Sequence, residues 1–146
     1  TEKTEKTSKP NVIVILADDL GYGDVSAYGS KTISTPNIDK LANGGVCFTD
    51  GHATSATSTP SRYAMFTGSY PWKNKNAKIL PGDAPLLIDT AQFTMPKMFR
   101  NAGYTTAAIG KWHLGMGSGN PDWNKRVTRL FMSYSSDKRP CTYSLC

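Results

Sequence analysis

No apolar run in the 146 residues approaches the roughly eighteen needed to cross a bilayer; the longest, residues 12–17, ends at an acidic pair. No membrane-spanning helix is therefore expected in these residues. Cysteine is scarce: Cys47, Cys141 and Cys146 are too few for a paired framework and lack zinc-ligand spacing. Histidine occurs only at His52 and His113. No internal repeat is present, and the first ten residues hold no apolar segment of a signal peptide. The formal charge of +6 is spread in a way that removes its apparent meaning. Residues 11–120 carry 9 basic and 7 acidic side chains, while the first ten residues add +1 and residues 121–146 add +3. Without a basic stripe interleaved with aromatics, nucleic-acid binding is not indicated.

What remains is the composition of one folded domain. An apolar fraction of 38% argues against disorder, and 13 Gly with 9 Pro argue against a coiled coil. Residues 1–9 are polar and repetitive, a flexible lead-in. Residues 11–17 form a continuous β-branched run, as expected of a strand buried on both faces in a parallel sheet. Thr35-Pro36 starts a helix that stops at Gly44-Gly45, and residues 46–49 read as a short strand. A second helix runs from Ser58-Thr59-Pro60 to Gly68, and a third from Thr94-Met95-Pro96 to Gly103. Residues 104–109 read as another strand; residues 69–92 show little periodicity and are either a long functional loop or a segment that hides a further element. This alternation predicts an α/β architecture with a mainly parallel sheet and flanking helices. In such sheets ligands gather beyond the carboxyl ends of strands, which selects Asp18-Asp19 and Lys111-Trp112-His113.

Three clusters carry chemistry, each with a plainer reading beside it. Asp18 and Asp19 are hard oxygen donors suited to calcium or magnesium, or else ordinary turn residues. Ser58 with Arg62 one turn later makes a cradle for a tetrahedral oxyanion, or else a helix cap and a surface arginine. Lys111 and His113 supply a cation and a proton carrier, or else a surface lysine and a hydrogen-bonded histidine. His52 is assigned to structure, and Cys47 to a small core position. The conjunction of all three clusters at the ends of core elements favours one shared crevice.

The segment Ala56-Thr-Ser58-Thr-Pro60-Ser-Arg62-Tyr-Ala-Met-Phe-Thr67-Gly68 resembles the first signature of the sulfatase family, within the alkaline phosphatase superfamily, in its serine-type form. Gly103-Tyr-Thr-Thr-Ala-Ala-Ile-Gly110-Lys111-Trp-His113 resembles the second, and residues 11–23 resemble the opening strand and acidic pair. The resemblance covers residues 10–124 and implies the N-terminal part of an alkaline-phosphatase-like fold. It implies that Asp18, Asp19 and the oxidised Ser58 side chain ligate a calcium ion. It further implies that Ser58 is converted to formylglycine by a serine-type maturase and that Arg62 stabilises that group. Lys111 and His113 would then contact the modified residue and the sulfate. One hydroxyl of the aldehyde hydrate would attack sulfur, and loss of the other's proton would expel sulfate, an exit that plain serine lacks.

The further calcium ligands of the family and part of its sulfate pocket lie outside these residues, so the segment is expected to lack turnover alone. Residues 125–146 carry two of the three cysteines and no helical or strand period; they read as an atypical tail, out of frame or disordered. The resemblance implies hydrolysis of sulfate esters, including those of sulfated carbohydrates, in the periplasm or outside the cell. Two alternatives stand beside it. One is a phosphomonoester or phosphonate hydrolase of the same superfamily, since both leaving anions are tetrahedral. The other is not an enzyme: a truncated remnant, or a folded anion- and metal-binding module without turnover.

Overall fold

Thr35 and Pro36 open the first helix, α1 (Pro36–Gly44), as the cap-plus-proline pattern predicts. A computed structural model describes residues 9–81, 84–115, 133–136 and 139–142 of the chain. Residues 1–8 of the lead-in and residues 125–132, 137–138 and 143–146 of the tail lie outside the described residues. The chain divides into two units, Thr1–Asp50 and Gly51–Cys146.

In the first unit, the Thr35 hydroxyl does not cap α1 but is drawn into a polar knot. Ser26 Oγ donates to Asp39 Oδ2 at 2.7 Å and accepts from the Thr35 amide at 2.9 Å, while Thr35 Oγ1 accepts from the Ser26 amide at 2.9 Å. Asp39 sits in the first turn of α1, where its charge also faces the positive end of the helix dipole. Tyr22 and Tyr28 stack with ring centroids 4.3 Å apart, and the Tyr28 hydroxyl donates to the Phe48 carbonyl at 3.0 Å. A hydrogen bond with the Cys47 thiol holds the Tyr28 phenol above its usual pKa. Cys47 is exposed, which corrects its expected place in the core.

The expected first strand is not formed among the described residues. Residues 11–17 carry no ladder, and their exposure alternates: Ile13 and Ile15 are 84% and 79% exposed, Val14 and Leu16 53% and 43%. That period of two is the pattern of an extended segment with two faces. A strand is held by neighbours that take up its N–H and C=O groups, and these residues have none in the described sheet, which contains other strands only. Residues 46–49 and 104–109 likewise form no strand. The parallel sheet therefore does not appear among the described residues.

The second unit is built on α2 (Ser58–Thr67) and α3 (Met95–Asn101). Gly68, with φ 65°, closes α2 by donating its amide to the Ala64 carbonyl at 2.8 Å. Tyr63, Ala77, Ile88 and the fully buried Leu114 form the core, with Phe66, Leu87 and Trp112 packed on it. Phe66 and Trp112 meet edge-on at 5.2 Å. Two of the four core residues, Ala77 and Ile88, come from residues 69–92. The long connection is thus a packed wall, pinned where the Leu87 amide donates to the Leu114 carbonyl at 2.8 Å. It also contains a 3-10 turn at Pro71–Lys73 that no apolar period announces.

Within the tail, β1 (Ser133–Ser136) pairs antiparallel with β2 (Arg139–Thr142), Tyr134 opposite Cys141. No strand period marks these residues, and Pro140 is tolerated because each strand of a two-stranded ribbon is an edge.

Candidate active site

The first turn of α2 positions the site. Ser58 is the first helical residue, while Thr57 takes the cap position without a side-chain cap bond. Ser58 is therefore not a cap. Its Oγ instead accepts a hydrogen bond from Arg62 Nε at 2.9 Å, one turn along the same helix. Thr59, Arg62 and Tyr63 are all buried, and their spacing of three and four residues puts them on one helix face.

That face grips residues 111–113. Arg62 Nη1 donates to the Lys111 carbonyl at 2.6 Å, and Thr59 Oγ1 donates to the His113 carbonyl at 2.8 Å. Two helix residues three apart thus hold two loop carbonyls two apart. The loop follows a tight path: Gly110, His113 and Gly115 have φ of 105°, 51° and 80°. Glycine occupies that region freely, whereas for a histidine it costs about 1–2 kcal/mol, which the surrounding contacts must supply. At Gly115 a Cβ would overlap the Pro85 carbonyl oxygen, so only glycine fits there.

The His113 ring is fixed from the opposite side. Nε2 lies 3.0 Å from the Leu80 carbonyl oxygen. A carbonyl only accepts, so Nε2 carries the hydrogen and, in the neutral ring, Nδ1 holds the lone pair. Trp112 turns toward the core and its indole donates to the Gly115 carbonyl at 3.0 Å.

The arrangement holds a cationic guanidinium, only 6% exposed, against a helix-terminal hydroxyl, beside backbone bearing a lysine and a histidine. The opening turn of a helix also has N–H groups without intrahelical acceptors. Chemically this suits a tetrahedral anion with a nucleophile at its edge. Of the residues singled out from sequence, Ser58 and Arg62 meet by side chain, whereas Lys111 and His113 are held to α2 through their backbone carbonyls, by Arg62 and Thr59 respectively. Asp18 and Asp19 belong to the first unit, exposed at the end of residues 11–17, with Asp19 at φ 56°. His52 is exposed. Sequence reasoning misses Thr59 and Leu80. The one available signal for Thr59 is its position three residues before Arg62, on the same helical face.

A Sulfatase family model matches residues 10–143. The chain belongs to the sulfatase family. The match includes both signature segments and extends beyond Asn124. Among curated relatives, N-acetylgalactosamine-6-O-sulfatase of Bacteroides thetaiotaomicron is 54% identical over 134 residues, 91% of this chain and 26% of its own length. Human steryl-sulfatase is 46% identical over 121 residues, 78% of this chain and 21% of its own length. A solved structure of a protein with its substrate D-glucosamine-2-N,6-O-disulfate is 36% identical with a TM-score of 0.64, covering 90% of this chain and 24% of that one. The chain spans about a quarter of the length of these proteins. No described helix is long and apolar enough to cross a membrane.

Proposed function

We propose that the chain is the nucleophile-bearing part of a sulfatase that hydrolyses sulfate esters, with Ser58 as the residue that a serine-type maturase oxidises to formylglycine. The observation that carries the reading is the pair of hydrogen bonds that Arg62 donates, one to Ser58 Oγ and one to the Lys111 carbonyl, which joins the two signature segments. The fit of a formylglycine is chemical: Ser58 oxygen acts as acceptor to an N–H, a part that an aldehyde or hydrate oxygen also plays. Once formed and hydrated by water, that group would supply a hydroxyl to displace the substrate alcohol from sulfur and a second hydroxyl whose proton loss would release sulfate and restore the carbonyl.

The chain's own residues do the rest. Arg62, buried and already aimed at Ser58, holds negative charge at that oxygen and orients it. Lys111 is the residue whose ammonium would offset charge on the sulfuryl oxygens. His113, with Nε2–H committed to Leu80, moves a proton through Nδ1. Asp18 and Asp19 are the residues that would hold calcium, whose charge would polarise the sulfate. Their oxygen chemistry suits that ion, but calcium takes 6–8 oxygens and no group of three acidic, histidine or cysteine residues forms among the described residues. The full-length protein must complete the shell.

In that full-length protein, residues 11–17 and 104–109 become strands of a mainly parallel sheet. The substrate class is a sulfated carbohydrate, supported by the sugar sulfate bound to the solved relative and by the N-acetylgalactosamine-6-O-sulfatase likeness. The family resemblance supports the periplasm or the outside of the cell as its compartment. Coexpression with a serine-type maturase tests the reading: the intact mass falls by one hydrogen molecule, and the change maps to Ser58. Full-length enzyme then releases sulfate from an aryl sulfate faster than phosphate from the matching aryl phosphate. An unmodified Ser58, or preference for the phosphate, overturns the proposal.

A further inference from the structure

Thr59, Leu80 and His113 are joined in a closed ring of three hydrogen bonds. Thr59 Oγ1 donates to the His113 carbonyl at 2.8 Å, the Leu80 amide donates to Thr59 Oγ1 at 3.5 Å, and His113 Nε2 lies 3.0 Å from the Leu80 carbonyl. Each residue therefore touches the other two, although 21 and 33 residues separate them along the chain. Thr59 is 0% exposed, so water cannot stand in for its hydroxyl.

From this ring we infer that Thr59 is a positioning residue that sets the tautomer and direction of the His113 imidazole. The hydroxyl has one proton and spends it on the His113 carbonyl, which holds that residue at φ 51°. Its lone pairs receive the Leu80 amide, which ties Leu80 to the same place, where its carbonyl meets Nε2. With Nε2 obliged to donate, the proton-accepting position in the neutral ring is Nδ1. A backbone left-handed at a non-glycine residue is the kind of strain kept where a side chain must point in one direction. The inference rests on the reading of His113 as a proton carrier, because only then does the choice of nitrogen matter to the reaction.

The chain has two histidines, so its ¹⁵N-histidine spectrum is simple. It is recorded on the full 146-residue chain without substrate, at a pH where imidazoles are neutral. His113 is expected to show a protonated, pyrrole-like Nε2 and an unprotonated, pyridine-like Nδ1. Thr59→Val, which keeps shape and removes the hydroxyl, is expected to move both nitrogens toward averaged values, and Thr59→Ser to restore the separation. If the valine variant does not fold, Thr59→Cys, a weaker donor of similar size, is read by the same shifts. A wild-type ring protonated at Nδ1, or a folded valine or cysteine variant with unchanged shifts, overturns the inference. The separate role of His113 is read from His113→Ala in full-length enzyme: normal turnover there refutes the catalytic reading and leaves the tautomer result standing.

Discussion

Arg62 Nε lies 2.9 Å from Ser58 Oγ while its Nη1 lies 2.6 Å from the Lys111 carbonyl, so one guanidinium spans helix and loop. Lysine offers a point charge in place of a planar fork and cannot hold both oxygens at once. Hydrogen bonds from a charged group contribute about 1.5–3 kcal/mol each, and this one is buried. Arg62→Ala is expected to cost about 3 kcal/mol in denaturant unfolding, and Arg62→Lys to recover only part. In full-length enzyme both variants are expected to lower kcat, measured as sulfate release.

Gly115 gives a test of the loop that carries Lys111 and His113. A methyl group at this position meets the Pro85 carbonyl oxygen and also demands φ 80° of an L-residue. Gly115→Ala is expected to destabilise by about 2 kcal/mol or more, since both the overlap and the backbone strain act together. Gly23→Ala serves as control, because a Cβ there meets nothing within 4 Å. Urea unfolding of the two variants separates them.

The helices were legible because their ends are chemical events. Thr35-Pro36, Ser58-Thr59-Pro60 and Thr94-Met95-Pro96 announce them, with Thr57 rather than Ser58 in the cap position of the second, and Gly68 with φ 65° and Gly103 with φ 85° close or follow them. Ser58, Arg62, Lys111 and His113 were legible as residue types at fixed spacing. Thr59 was not, because its partner is 54 residues away and a threonine in a helix start has an ordinary local use as a cap. The strands fared differently. Residues 11–17 have strand composition and strand-like alternation of exposure, but a ladder is a property of two segments, and composition describes one. Cys47 failed for a related reason: a small apolar residue becomes core only if something covers it, and it is exposed.

Asp18 and Asp19 offer a prediction about metal. Two adjacent carboxylates repel when both are ionised, and a divalent cation reverses the sign of that interaction. In full-length enzyme, calcium at a hundredfold over its Kd is expected to stabilise by about 2.7 kcal/mol, by mass action on the folded state. Asp18→Ala and Asp19→Ala are each expected to remove that gain, read as the calcium-dependent shift in thermal midpoint after chelation and readdition. A shift that persists in both variants refutes the ligand assignment.

Ile15 tests where residues 11–17 belong. It is 79% exposed in the 146-residue chain, and a charged side chain at an exposed site changes stability by no more than about 0.5 kcal/mol. In the full-length enzyme the same residue is proposed to lie in a strand covered on both faces. There a lysine brings an unpaired charge into the interior, which costs about 3 kcal/mol or forces the ammonium to lose its proton. Ile15→Lys is therefore expected to leave the unfolding midpoint of the 146-residue chain unchanged and to lower that of the full-length enzyme sharply. Equal effects in the two proteins would mean that the run stays at the surface in both. The α/β sheet would then have to be built without it, and Asp18 and Asp19 would lose the strand end that makes them candidates for a metal.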